Sequence, residues 1–347
     1  MSKKYNVKEV AEVFKIPANK LRFYEKKGLM NPERGENNYR YYYEEDFIRI
    51  QTILMYRALN LPVENIKDLL DNADKDNVLD HFYKQWEAVN NNIHRMRDVK
   101  NSLEQIMDSI YEGNNDGFVA GIIKSSQELN HIQETRDNWK DKWNFDSWAK
   151  RYDKDVNKDI GKLKLYKNYD ELLDSVYLKA VEGMGQADSI LDIGVGTGNL
   201  SNRFLEKGYS VTGVDQSREM MNVAKNKYPK LKLRLGEFLK LPFDNDSFDC
   251  IVTTYAFHHL NDEEKKLGIK EMMRVLKEDG SIVIGDMMFE DEDSRREIFD
   301  RYTKEQIEEI EDEYYSNISV LREAFQKYGK IVDVQRIDEL IYMVCVH

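Results

Sequence analysis

A chain of 347 residues exceeds one ordinary domain, and at about 100–200 residues per domain two are expected. Its 41% hydrophobic content supports sizeable cores, while no apolar run approaches the ~18 residues of a membrane span and the first residues lack the apolar segment of a secretory signal. Two cysteines, Cys250 and Cys345, exclude a disulfide scaffold or thiolate cluster, so a reducing cytoplasm is the expected compartment.

Charge is unevenly placed. Residues 1–43 carry ten lysines and arginines against five glutamates, a net of +5, which leaves −17 on the remainder of a chain whose total is −12. A basic head on an acidic body is the pattern expected if only the head meets a polyanion, although a lysine-rich surface produces the same count.

Val7, Val10, Ala11 and Phe14 fall at helical spacing and predict one apolar helix face. Pro17 suits the first turn of a second helix, which runs to about Lys27 and ends at Gly28. Two short helices joined by a tight turn make a helix-turn-helix. Its second helix presents Asn19, Lys20, Arg22 and Tyr24, residue types that reach bases or phosphates. Turn formers at 31–38 and the run Tyr39-Arg40-Tyr41-Tyr42-Tyr43 predict a small β wing. A helix pair follows, with Phe47, Ile50 and Leu54 on one helix and Ile66, Leu69 and Leu70 on another that Pro62 opens.

Leu21-Arg22-Phe23-Tyr24-Glu25 with Gly28-Leu29, and Asn38-Tyr39-Arg40-Tyr41-Tyr42 with Asp46-Phe47, resemble the MerR family of transcriptional regulators over about residues 3–75. The resemblance implies a winged helix-turn-helix, here assigned to residues 1–75, with Arg22, Tyr24, Tyr39 and Arg40 on double-stranded DNA. Asn38 stands where the family has glycine, a mild change because Asn tolerates positive φ.

From Leu79 the apolar residues recur every seven, along Leu79, Trp86, Ile93, Lys100, Met107 and along Phe82, Val89, Met96, Leu103, Ile110. Such heptads predict a coiled coil, and the competing reading is a long helix packed on its own domain. The MerR resemblance implies an antiparallel coil between protomers at 76–113, hence a homodimer through 79–110 on a near-palindromic promoter site. Gly113, Asn114, Asn115, Asp116 and Gly117 are expected to end it. No cysteine lies in 76–140, so no thiolate metal sensor is expected. His81, His94 and His131 are scattered there and read as solvated or helix-packing residues, and no metal ligand set is assigned. Residues 114–140 read as a helical linker without a clear apolar face.

Beyond 141 strands and helices alternate: strand 189–193, helix 199–207, strand 209–214, helix 217–227, strands 231–235 and 248–253, helix 262–277, strand 281–286, then an acidic helical stretch and strands 331–336 and 341–346. This predicts an α/β domain with a mostly parallel sheet. The first turn, Asp192-Ile193-Gly194-Val195-Gly196-Thr197-Gly198-Asn199, lacks the last glycine of a dinucleotide fingerprint. Its glycines let backbone approach a ligand closely. Asp215 ends the second strand, where its carboxylate can accept two ribose hydroxyls. Gly236-Glu237-Phe238, Leu241-Pro242-Phe243 with Ser247-Phe248-Asp249, and Val275-Leu276-Lys277 with Gly280 follow in register.

This ordered set resembles the class I S-adenosylmethionine-dependent methyltransferases over about residues 140–347, a Rossmann-like fold. The resemblance implies S-adenosyl-L-methionine as cofactor and S-adenosylhomocysteine as product. It sets Asp192, Gly194 and Gly196 around the methionine part, Asp215 on the ribose, Glu237 and Phe238 at the adenine, and Thr254 beside the cofactor. The lead-in Phe145-Asp146-Ser147-Trp148-Ala149-Lys150-Arg151-Tyr152-Asp153 implies Tyr152 folding over it. Thr253-Thr254-Tyr255-Ala256-Phe257-His258-His259-Leu260 and Glu313-Tyr314-Tyr315 resemble, more narrowly, the YrrT-like methyltransferases of Bacillus-type bacteria.

His258 and His259 follow the fourth strand at the carboxyl edge of the sheet, where one of them can serve as the base for a protonated acceptor, or both can anchor the turn. Tyr255, Tyr314 and Tyr315 are candidates for the acceptor pocket, and the last two read equally as a packing pair. The Pro-Pro-Tyr motif of amino-methylating DNA enzymes is absent, with Thr254-Tyr255-Ala256-Phe257 in its place, so a small-molecule acceptor or inducer is expected. Three functions compete: a regulator whose body methylates a small molecule and which engages RNA polymerase indirectly through twisted promoter DNA, a non-catalytic sensor of the cofactor or its product, and a methyltransferase with a vestigial head. No membrane partner is expected.

Overall fold

The computed structural model describes residues 3–35, 38–71, 78–111, 118–159 and 161–347. Contacts divide the chain into two compact units, Met1–Arg97 and Asp98–His347.

In the first unit, β1 (Tyr5–Asn6) runs directly into α1 (Val7–Val13). The Asn6 side chain accepts from the amides of Lys8 and Glu9 at 2.8 and 3.2 Å, and the Glu9 carboxylate accepts from Asn6 N at 2.7 Å, a reciprocal cap. Then come α2 (Ala18–Lys26), β2 (Glu33–Arg34) and β3 (Arg40–Tyr42). Pro17 occupies the cap before α2 rather than its first turn. Gly28 follows α2 at φ +73°, and Asn38 takes φ +60° between β2 and β3. The strands pair antiparallel in the order β1-β3-β2. α3 (Glu44–Ala58) and α4 (Val63–Asp71) complete a core of Val10, Leu21, Tyr24, Leu29, Tyr42, Ile50, Ile53 and Ile66.

α5 (Val78–Tyr111) is one 34-residue helix, about 50 Å long, and the division between units falls inside it. Phe82, Ile93, Met96, Leu103, Met107 and Ile110 are each 41–55% exposed, whereas Gln85, His94 and Asp98 are buried. The heptad stripe therefore faces outward, with Trp86 and Val89 half-buried. The side chains of Leu79 and His81, and the segment Gly113 to Gly117, lie outside the described residues.

In the second unit, α6 (Phe118–Asn138), α7 (Phe145–Trp148), α8 (Tyr152–Lys158) and α9 (Tyr169–Ala180) precede the sheet. The sheet then builds through β4 (Ser189–Ile193), α10 (Asn199–Glu206), β5 (Ser210–Asp215), α11 (Arg218–Lys227), β6 (Lys232–Leu235) and β7 (Phe248–Thr254). α12 (Asp262–Val275), β8 (Leu276–Phe289), α13 (Glu292–Arg301), α14 (Lys304–Glu311), β9 (Ser316–Asn317), α15 (Ile318–Gln326), β10 (Val332–Arg336) and β11 (Ile341–Val346) close it. Strand order is β10-β11-β8-β7-β4-β5-β6, with β9 appended to β8, and β11 runs antiparallel to both of its neighbours. The period of two sends Ile190 and Val252 to one core layer and Leu191 and Ile251 to the other. Both cysteines are buried.

β8 is longer than the expected 281–286. The helix stops at Val275, and Leu276 pairs at once with Phe248 before a register shift. Gly280 permits this path, because a Cβ there would lie 2.9 Å from the Asp249 carbonyl oxygen. α6, which lacks a clear period, buries Ile132 in the core and otherwise packs through polar groups. Ser102 and Ser125 share a hydrogen bond at 2.6 Å, and Arg136 forms an ion pair with Asp98.

Candidate functional site

On the head, Asn19, Lys20 and Arg22 project from α2 into solvent, and Tyr39 on the wing is 67% exposed. Tyr24 is a correction. It is 3% exposed and packs in the core, because it stands three residues after the buried Leu21 on the same helix face. Phe23, 44% exposed, takes the outward place beside Arg22. Arg40 is half-buried, its Nε donating to Glu25 Oε2 at 2.5 Å, and Arg34 bonds the other oxygen of the same carboxylate. Burial works against the charge on Glu25, but the two guanidiniums hold its carboxyl below the usual range. Glu25 thus clamps the wing to α2, and Arg40 is held rather than free. Arg22→Ala is expected to weaken DNA binding and flatten its salt dependence by about one phosphate contact, while Tyr24→Phe leaves both unchanged; titrations over a salt series test this.

On the body, the carboxyl ends of β4, β5 and β7 open onto a cleft that communicates with solvent. Gly194, Gly196 and Gly198 take φ of +71°, +52° and +84°, so the loop after β4 needs glycine for its path. A Cβ on Gly194 would meet the Cβ of Ala256 at 2.5 Å, so the wall there has to be bare backbone. Asp215 anchors the loop, its two oxygens accepting from Gly196 N and Ser217 N at 2.8 Å each. Burial pushes its carboxyl up to about 6. Asp192, also buried, accepts from Ser201 Oγ at 2.6 Å and is pushed up to about 7 by burial and by the neighbouring Asp215. Asp153 fastens α8 over the loop, accepting from Thr197 Oγ1 at 2.6 Å, Asn199 Nδ2 at 3.0 Å and Lys227 Nζ at 2.6 Å. That fastening sets Tyr152 in the wall.

Tyr152, Asp192, Gly194, Gly196, Asp215, Glu237, Phe238, Thr254, Tyr255 and His259 all line this one cleft. The remaining three expected residues do not. His258 is 3% exposed and its Nδ1 lies 2.6 Å from Asp286 Oδ1. Asp286 also accepts from the amides of Phe257, His258 and Met287 at 2.7, 3.0 and 2.8 Å, which locks the turn Phe257–His259. Burial opposes charge on His258, yet Asp286 outweighs it and keeps the imidazole above its ordinary value. His259 goes the other way, lowered by burial and by His258. Tyr314 bonds Lys142 through its hydroxyl and His258 O through its amide, and Tyr315 packs against Phe289 with ring centroids 5.7 Å apart. Both tyrosines sit behind the histidine pair, so Tyr314 and Tyr315 are corrected to packing residues.

Four cleft residues carry no signal in spacing or motif: Trp139, Tyr169, Gln216 and Met220. Trp139 Nε1 donates to Gln216 Oε1 at 3.0 Å, which closes the cleft from the α6 side. Glu313, 2.9 Å from His259 Nδ1, lies 54 residues away in sequence. Asp286 is legible only as the last residue of an expected strand.

Residues 5–73 match the profile described as MerR HTH family regulatory protein, and residues 190–280 match that described as Methyltransferase domain. An uncharacterized methyltransferase of Oceanobacillus iheyensis is 37% identical over 205 residues, covering 58% of this chain and 93% of the relative. One of Alkaliphilus oremlandii is 34% identical over 206 residues, covering 58% and 94%. The chain belongs to this methyltransferase family. The YcgJ protein of Bacillus is a structural neighbour at TM-score 0.40 and 26% identity, covering 48% of this chain and 70% of its own.

This methyltransferase thus carries a MerR helix-turn-helix head, which binds DNA, ahead of a Rossmann-like body. Its cofactor is S-adenosylmethionine, and the cleft fits that group. Bare backbone at Gly194 leaves room against the wall, and the Asp215 oxygens keep lone pairs beyond their two amide bonds for a diol. Among the described residues no helix is long and apolar enough to cross a membrane.

Proposed function

We propose that the protein is a homodimeric cytoplasmic regulator of transcription whose body methylates a small molecule, organised as head 1–75, dimer helix 76–113, linker 114–140 and methyltransferase 141–347. The observation that carries the enzymatic half is the convergence of ten expected residues, from α8 and from the ends of β4, β5, β6 and β7 and the loops after them, on one glycine-walled cleft. Gly194, Gly196 and Asp192 are assigned to the methionine part, Asp215 to the ribose hydroxyls, and Glu237 and Phe238 to the adenine. Tyr152 and Thr254, also in the cleft wall, would help to hold the same group.

When bound, S-adenosylmethionine supplies an activated methyl group for in-line transfer. The residues mainly align the acceptor with it. Tyr255 and Tyr169, their rings stacked with centroids 5.4 Å apart, wall the acceptor end, and His259 faces it. His258 and His259 are assigned to making the acceptor a better nucleophile, His258 acting from behind through its adjacent partner. The acidic body disfavours a polyanionic acceptor.

The regulatory half is supported by a buried connection. Arg136 Nε donates to Leu239 O at 2.9 Å, one residue after Phe238, while its guanidinium pairs with Asp98 of α5 and lies 3.7 Å from Glu271 of α12. The helix bearing the apolar stripe is therefore tied to the adenine end of the cleft. A ligand biases the dimer only by binding two states unequally, and a shift of the 238–239 corner reaches α5 directly. The exposed Arg22 and Lys20 favour a working head over a vestigial one, with twisted promoter DNA as the signal to RNA polymerase.

The test is methyl-labelled cofactor, the full chain and a small-molecule extract, read by mass spectrometry. Label in a new metabolite, lost in Asp215→Ala, is the expected result. Cofactor binding without any labelled product would instead make the body a sensor.

A further inference from the structure

His258, His259 and Glu313 each bring a ligand atom within 4.8 Å of the other two. We infer that this cluster binds a divalent transition-metal ion, held by two imidazole nitrogens and one carboxylate with its open position toward the cleft. Two histidines and one glutamate are a donor set that suits zinc or cobalt and leaves a coordination site free.

The local fold prepares the set. Tyr255 at φ +50° and the tight turn Phe257–His259 bring two consecutive imidazoles to a centroid separation of 3.9 Å, although side chains of neighbours in extended chain point apart. Asp286, 1% exposed and fixed by three amides, bonds His258 Nδ1 and so leaves Nε2 as the available donor. A carboxylate behind a ligating histidine is the usual outer support of a metal site. Trp143 and Phe145 stand 4.3 and 5.0 Å from the His259 ring and restrict water on that side.

Charge fits as well. Asp286 and Glu313 together offer two negative charges to a dication. Among the described residues Lys265 is a cation close enough to act on His258, and it donates to Tyr314 O and is pushed down to about 8 by burial. Loading needs His258 Nε2 without a proton, so a proton there goes to solvent while the one shared between Nδ1 and Asp286 stays in place. His259 is the member that lines the cleft, so the open position suits an acceptor bearing oxygen or sulfur. That role, though not the binding itself, rests on the methyltransferase reading.

The experiment strips the full-length protein with a chelator, then titrates zinc against a chromophoric competitor and cobalt by its visible spectrum. One ion per chain is expected, weakened at least tenfold by Glu313→Gln and about 10–100-fold by Asp286→Asn. Calorimetry with S-adenosylmethionine checks that Glu313→Gln remains folded, since Glu313 is not part of the cleft wall. No stoichiometric binding by the wild type overturns the site. Equal binding by wild type, Glu313→Gln and His259→Gln also overturns it, placing the ion on exposed pairs such as His131–Glu263. Metal bound by a protein that binds no S-adenosylmethionine would instead sink the methyltransferase reading and leave this site standing.

Discussion

Met96→Glu together with Leu103→Glu is expected to turn the proposed dimer into a monomer. Both side chains are 55% exposed in the single chain, within a stripe that continues through Ile93, Met107 and Ile110. A seam of that composition is stable only against another apolar surface. Burying one such side chain contributes about 1.5–3 kcal/mol, and twofold symmetry counts each loss twice. Because each side chain is already nearly half-buried in the single chain, the pair should cost roughly 3–7 kcal/mol of association before the added charge repulsion. Light scattering reads the mass directly. DNA affinity should fall with it, because one helix-turn-helix then meets one half-site. Retention of the dimer would place the protomer interface elsewhere.

Asp215→Ala is expected to weaken S-adenosylmethionine binding by about 1–3 kcal/mol through the loss of charge-assisted hydrogen bonds. The effect should sit at the upper end of that range, because the same carboxylate positions Gly196 in the loop. The wild-type affinity should also depend on pH. Burial raises the Asp215 carboxyl to about 6, and hydroxyl donors favour its ionised form. Affinity is therefore full above about 6 and declines as pH falls through that value. Calorimetry on both sides of it tests the sign, and a flat profile would remove Asp215 from the ribose. Gly194→Val is expected to abolish binding outright, since even its Cβ would lie 2.5 Å from Ala256 at a φ that valine does not adopt.

Local pattern determined a great deal here. The spacing of Val7, Val10, Ala11 and Phe14 fits a helix face that packs on the head core, and the heptads of 82–110 fit a face that the described residues leave about half exposed. The order of strands, the left-handed glycines after β4 and Asp215 at the end of β5 follow from residues close together in sequence, because backbone sterics and side-chain period act over a few residues. What only tertiary structure decided is which way chemically similar neighbours turn. Tyr24 goes inward and Phe23 outward, and His258 is buried on Asp286 while His259 meets the cleft. Tyr314 and Tyr315 pack behind them, although their side-chain chemistry suits a pocket equally well. The partners that settle these choices, Glu313 for His259 and Asp98 with Leu239 for Arg136, lie 54, 38 and 103 residues away. A polar side chain is satisfied by whatever donor or acceptor the fold delivers, and periodicity within one element carries no information about which distant residue that is.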